Sequence, residues 1–302
     1  MLYFFLAVLF TVALYLIMRA YPRYGVNSFH AVVFNYYSCV LTGLVLTPDL
    51  RVFTEVSWSS TGTLLTLALG ILFVIAFILI GRTAQKVSVT ASSLSANMSL
   101  VIPVIFGLFV FQNNNKVFTG TNYLGLVLAV LALALGAIQK KEASSIAVPG
   151  KTPVMVVLLP VLTFFASGTN NTLINYLSST YYAPGHTTVF MIIACSGAIL
   201  VGTILLLLRV VYNKETVAWK SVAGGLLLGV PNFLSLYFLL KALSSFGNSA
   251  AYVFPIYNIL TMLVASFTAW VVYQEKLNNL NRLGLVIAVI AVILISYQEL
   301  GL

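Results

Sequence analysis

Charge is what this chain of 302 residues has least of. Asp, Glu, Lys and Arg make up 7% of it, against about 25% in an ordinary soluble domain, which excludes a solvated globular surface. Six residues are acidic, two are histidine and two are cysteine. So small a stock of ligands and proton carriers leaves little for a hydrolytic or metal-dependent centre, and no cofactor is expected. A membrane-embedded enzyme is disfavoured too, because there is no intramembrane acid pair, no histidine cluster and no serine with an evident base. Cys39 and Cys195 stand far apart and show no metal-binding spacing, so they read as small packing residues. The acidic residues, Asp49, Glu55, Glu142, Glu215, Glu275 and Glu299, all fall between or at the ends of apolar runs.

What the chain has in abundance is apolar sequence: 61% of its residues are hydrophobic and its mean hydropathy is +1.05. A membrane-spanning helix needs roughly 20 apolar residues, so there is material for about nine or ten spans. The fifteen Lys and Arg residues and the net charge of +9 do not point to nucleic acid, because the basic residues are scattered singly between apolar runs. The expected fold is an all-α integral membrane protein with ten transmembrane helices. Spans 1–5 are read at Leu2–Met18, Phe29–Leu46, Thr63–Ile80, Val87–Phe111 and Tyr123–Ile138. A hydrophilic connector over 139–152 follows, and spans 6–10 are read at Pro153–Leu177, His186–Tyr212, Ser221–Leu243, Ser249–Tyr273 and Arg282–Gln298. The first run has no basic residue before it and no small-residue cleavage site after it, so it reads as a retained helix.

The two halves, 1–138 and 153–302, resemble each other. Shifted by 159 residues, Leu124-Gly125-Leu126-Val127-Leu128-Ala129-Val130 matches Leu283-Gly284-Leu285-Val286-Ile287-Ala288-Val289 at six of seven positions. The same shift pairs Gly70 with Gly229, Arg82 with Lys241, Ala91 with Ala250 and Ser99 with Asn258. A shift of 156 superimposes both histidines, His30 and His186, and both cysteines. Five spans per half is an odd number, so the second half must enter from the opposite face. The halves are then inverted repeats, an arrangement that recurs in secondary transporters, whose substrate sites lie between the repeats. Loops after odd-numbered spans hold twelve basic residues and those after even-numbered spans hold three. The positive-inside rule therefore puts the odd loops in the cytoplasm and both termini outside.

Polar residues inside spans usually face the bundle interior or a wet cavity. Candidate substrate-binding residues are Tyr15 in span 1, Asn35 and Tyr36 in span 2, and Ser95, Asn97 and Ser99 in span 4. In the second half they are Asn170 and Asn171 in span 6, Asn232 and Tyr237 in span 8, and Tyr252, Tyr257 and Asn258 in span 9. Ser88, Ser92, Ser95 and Ser99 share one helical face, which suits either close helix packing or cavity lining. The polar run Ser167–Asn175 is either a vestibule-lining half of span 6 or its exit loop. Pro103, Pro231 and Pro255 are candidate kinks or gates, because each removes a backbone donor. Arg82 and Lys241 lie near the ends of spans 3 and 8, where they could attract a carboxylate or phosphate or snorkel to headgroups. His30 and His186 sit at equivalent span starts and read as interfacial, and spans 5 and 10 read as scaffold, with small residues at packing distance.

The double pattern resembles the drug/metabolite transporter superfamily, specifically its EamA-like ten-helix branch. The resemblance rests on Lys241-Ala242-Leu243, Asn248-Ser249-Ala250-Ala251, Pro255, Gln274-Glu275-Lys276-Leu277 and Leu283-Gly284 in the second half. In the first half Arg82-Thr83-Ala84, Thr90-Ala91-Ser92-Ser93, Pro103 and Leu124-Gly125 fit, while Asn115-Lys116-Val117-Phe118 replaces the acidic turn. The resemblance implies export of a small metabolite such as an amino acid, or exchange of sugar phosphates or nucleotide sugars. It implies a monomeric, multi-pass protein of a bacterial inner membrane whose partners are a small-molecule substrate and the lipid bilayer. Family members often have cytoplasmic termini, opposite to the charge count. Related small multidrug-resistance proteins trade protons through a carboxylate deep in the first helix. Here the interior of that helix offers Thr11 and Tyr15 as polar groups and no carboxylate, so neutral, zwitterionic or anionic cargo is expected.

Overall fold

The computed structural model describes residues 2–103, 106, 119–137, 154–183, 186–245 and 250–300. Among them every regular element is helical. The helices are α1 Leu2–Tyr24, α2 Ser28–Leu46, α3 Thr61–Lys86, α4 Val89–Met98 and α5 Gly120–Ala137. They continue as α6 Val154–Tyr181, α7 Thr187–Tyr212, α8 Trp219–Ser245, α9 Ala250–Tyr273, α10 Asn279–Ile295 and the short α11 Tyr297–Leu300. A 3-10 turn, Leu50–Phe53, lies between α2 and α3. Seven helices, α1 to α3 and α6 to α9, are long and apolar enough to cross a membrane, and α5 and α10 are shorter apolar helices. The chain is a multi-pass membrane protein. The connector 139–152 and the segments Asn115–Phe118 and Asn248–Ser249 lie outside the described residues.

Helix starts follow from capping side chains that accept the otherwise orphaned first amides. Asn27 accepts from the amides of Phe29 and His30, Ser60 from Thr63, Ser88 from Ala91 and Asn278 from Asn281. Ser88 is thus a cap and not a member of a span face. Proline decides two further features. Pro22 cannot donate to the Met18 carbonyl one turn back, and the Gln85 side-chain amide donates to that oxygen instead, at 2.7 Å. α1 therefore runs on through Pro22 and past the expected end at Met18, stopping at Gly25, whose φ of +66° suits glycine. Pro103 leaves the Ser99 carbonyl without its usual donor. The regular helix α4 ends at Met98, and Ser99 accepts from Ile102 at 3.0 Å in a tighter turn. α8 and α9 continue as helices through Pro231 and Pro255.

The main packing partners are α2 with α8 and α7, α3 with α7 and α6, α1 with α8 and α9, α4 with α9 and α6, and α5 with α10. Two of the crossings tight enough to require glycine join the halves at α3–α7 and α2–α8. A Cβ on Gly70 of α3 would land on the Gly197 and Ala198 backbone of α7. One on Gly229 of α8 would land on the Asn35 carbonyl and the Ser38 side chain of α2. Without a driving force from water, such close backbone approach is a main source of helix association in lipid.

Candidate functional site

Three helices, α1, α4 and α9, bring a set of uncharged polar side chains together. The Thr11 hydroxyl of α1 and the Tyr257 phenol of α9 are hydrogen-bonded at 2.5 Å. Tyr15, one turn after Thr11, lies against Tyr257 and Asn97 of α4. Thr261 Oγ1, one turn beyond Tyr257, is buried beside that phenol. Tyr15, Asn97 and Asn258 are all buried. A neighbouring contact joins α4 to α6, where Asn171 Nδ2 lies 3.5 Å from Ser99 Oγ. On the same stretch of α6, Ser167 Oγ and Asn170 Oδ1 are buried with no partner among the described residues. Unspent hydrogen-bonding capacity inside a span is costly against lipid and suits contact with a polar solute or water.

The polar run Ser167–Asn175 lies wholly within α6, so the exit-loop alternative does not hold. The serine face of α4 has another use than lining a cavity. Ser92 donates to the Ile80 carbonyl of α3 at 2.9 Å, and Ser95 and Ser99 donate to carbonyls of their own helix. A second buried group sits at the α2–α8 crossing. There Asn232 Nδ2 donates to Asn35 Oδ1 at 3.1 Å and the Cys39 thiol donates to the Gly229 carbonyl at 3.4 Å. Tyr36 stacks on Phe73 and meets Phe77 edge-on, with its hydroxyl unpartnered among the described residues. Cys195 lies against Cys39, so the two cysteines meet across the halves as free thiols.

Arg82 and Lys241 do not join these groups. Arg82 lines an open cavity at the end of α3, whereas Lys241 stands at the opposite end of the bundle, 5.6 Å over the half-buried Tyr237 ring. Tyr237 also stacks on Phe233. The Tyr252 side chain lies outside the described residues, and Pro103 is half-buried beyond the α4 break.

Above the α1–α4–α9 cluster, at the end where α1, α3 and α9 finish and α2, α4 and α8 begin, a polar network closes the bundle. Arg19 of α1 donates to the carbonyls of Ala84 and Gln85 of α3. Its Nε lies 3.5 Å from Glu275 Oε1, which also accepts the Val89 amide at the start of α4 at 3.0 Å. Tyr273 donates to the Leu16 carbonyl, Tyr21 to the Gly224 carbonyl, and the Asn27 amide to Ser221 Oγ. The Glu275 side chain is only 9% exposed, with Oε2 buried and unpartnered among the described residues. Burial raises its pKa above the ordinary carboxylate value, and the Val89 amide and Arg19 only partly offset that. The roles of Arg19, Gln85 and Glu275 were missed in the sequence. The turn bearing Glu275 stands out there, but nothing in its spacing names a partner on α1. The opposite end carries a cavity of about 550 Å³ lined by Glu55, Ser60, Thr63, Tyr181, Tyr182 and His186 among others.

No family model matches the chain. The chain is 26% identical over 298 residues to an uncharacterized protein of Haemophilus influenzae strain Rd, the match covering 97% of each. The match thus spans both halves of the chain.

Proposed function

We propose that the chain is a secondary transporter of a small organic solute, working by alternating access between two inverted five-helix halves. The observation that carries this reading is the exchange symmetry of most of the main helix pairings, α1 with α3 being an exception that has no comparable counterpart in α6 with α8 among the described residues. If α1–α5 are swapped with α6–α10, the pairing of α2 with α8 becomes that of α7 with α3. By the same swap α1 with α8 becomes α6 with α3, and α1 with α9 becomes α6 with α4. The pairs α2 with α7, α4 with α9 and α5 with α10 map onto themselves. Gly70 and Gly229, equivalent in the sequence repeat, stand at equivalent crossings. On this reading α4, α5 and α10 complete ten spans, and the Thr11–Tyr15–Asn97–Tyr257 cluster belongs to the substrate site. The closing network is then the gate on one face.

The cluster offers phenols, hydroxyls and an amide and, among the described residues, no charge. That suits a neutral or zwitterionic metabolite such as an amino acid better than a sugar phosphate, since Arg82 and Lys241 stand apart from it. The EamA-like resemblance adds the expectation of an exporter in a bacterial inner membrane, one transport unit per chain, with the Arg19–Glu275 end cytoplasmic by the charge count. The test is a thermal-shift screen of the purified protein against amino acids, nucleosides, sugars and their phosphates, followed by counterflow of each hit in proteoliposomes. An uncharged or zwitterionic hit is expected, with Tyr257→Phe and Asn97→Ala each weakening it by roughly tenfold, the loss of one buried hydrogen bond. Hits confined to phosphates, or hits that these variants leave unchanged, would sink the assignment.

A further inference from the structure

A cavity of about 370 Å³ opens where α2 begins and α3 and α7 end. Its charged lining is entirely cationic: Arg82 and Lys86 from the end of α3 and Arg209 from the end of α7. Arg82 and Lys86 are exposed, and neither makes an ion pair or side-chain hydrogen bond among the described residues. Arg209 is held in place, its guanidinium carbon 3.9 Å over the Phe29 ring and its Nη1 3.9 Å from Glu215 Oε1. The other oxygen of Glu215 is 3.1 Å from His30 Nε2, so the one nearby carboxylate among the described residues is shared between two partners. Three cations facing one shared carboxylate leave the cavity strongly positive.

What adjoins the cavity distinguishes its occupant. Positions 71, 75, 78, 82 and 86 of α3 follow spacings of four, three, four and four, a single helical stripe. Ile71 and Ile75 on that stripe are 45% and 44% exposed, and Ile78 lines the cavity. On α7, which packs against α3, exposed Leu205 precedes Arg209 by one turn. An exposed apolar stripe on α3, and exposed apolar side chains on α7 such as Leu205 and Leu208, thus lead to a cationic cavity at the helix ends. A soluble phosphate has no use for that apolar surface, whereas acyl chains attached to a phosphate headgroup fit both parts.

We propose that this cavity is a binding site for an anionic phospholipid, with the headgroup phosphate between Arg82, Lys86 and Arg209 and the acyl chains along α3 and α7. The site requires only that the chain be embedded in a bilayer and does not depend on the transport reading. Lipid binding to the purified full chain would be titrated by native mass spectrometry with phosphatidylglycerol and with phosphatidylcholine. Phosphatidylglycerol is expected to bind at least tenfold tighter. Arg82→Gln with Lys86→Gln should weaken it by roughly 25-fold, the product of about fivefold per basic residue, while leaving phosphatidylcholine unchanged. The control is Lys276→Gln with Arg282→Gln, which removes two exposed cations from the same end of the bundle and should change little. Equal binding of the two lipids, or equal effects of the two double variants, would overturn the proposal. Full displacement of phosphatidylglycerol by millimolar inorganic phosphate would overturn the lipid assignment in favour of a soluble phosphate compound.

Discussion

Glu275 shows how one side chain can tie a polar network to solution conditions. It lies just past the end of α9, yet its carboxylate is folded inward against Arg19 and the Val89 amide, with Tyr273 also facing it. Because burial raises its pKa above the unfolded value, the native state holds this proton more tightly than the unfolded chain does. The sign follows directly. Stability from this group is greatest at low pH and is lost as pH rises from the ordinary carboxylate range through the raised native value. Glu275→Gln removes the titration while keeping an oxygen that can accept from Val89. The melting-temperature advantage of wild type over Glu275→Gln should therefore shrink as pH rises across that window. An advantage that stays flat or grows would contradict the burial-dominated picture. A second residue-scale prediction concerns Gln85, whose amide replaces the donor missing at Pro22. Gln85→Leu strands the Met18 carbonyl and should cost about 1–3 kcal/mol, read as a lower unfolding midpoint.

At the scale of elements, the sharpest prediction lies at the glycine crossings. Gly229→Ala drives a methyl into the Asn35 carbonyl and Ser38, and Gly70→Ala into the α7 backbone. Each should destabilise by about 1–3 kcal/mol, because rigid backbone cannot move aside as a flexible side chain would. Gly120→Ala is the control: a Cβ there meets nothing within 4 Å, so its unfolding midpoint should stay within error of wild type. These elements also mark how far the sequence could be read. Span positions were legible because roughly 20 apolar residues are needed whatever the fold, and α2, α3 and α7 overlap their expected spans almost throughout. Helix ends were less so. α1 extends to Tyr24 because a distant glutamine satisfies the carbonyl that Pro22 frees, and no local pattern announces that partner. The serine face of α4 was visible as a stripe, but whether its hydroxyls point to a cavity or to carbonyls depends on how near α3 comes. Of the candidate site, Tyr15, Asn97 and Tyr257 were identified from their polarity within apolar runs, and the structure brings them together. Arg82 and Lys241 were singled out by equivalence in the repeat, which says that two residues occupy corresponding places, not that they meet.

For the whole molecule, the Arg19–Glu275 network and the uncharged cluster stand at successive levels of the same helices. Thr11, Tyr15 and Arg19 follow one another at single-turn spacing on α1, so the uncharged cluster and the Arg19–Glu275 network share one rigid element. If the halves rock about the cluster, breaking the seal should open this face without altering the cluster's own hydrogen bonds. A cysteine reporter at Thr11, placed in a background with Cys39 and Cys195 replaced by alanine, reads that opening through its rate of labelling by a membrane-impermeant thiol reagent. In sealed vesicles with the odd-numbered loops facing the reagent, Arg19→Gln should raise that rate. An ion pair contributing about 1.4 kcal/mol to the closed state predicts roughly a tenfold increase. The same substitution should slow labelling from the other face, since opening one side of an alternating-access protein depletes the state open to the other. Faster labelling from both faces at once would mean that Arg19 holds the bundle together as a whole and that the two halves do not alternate around it.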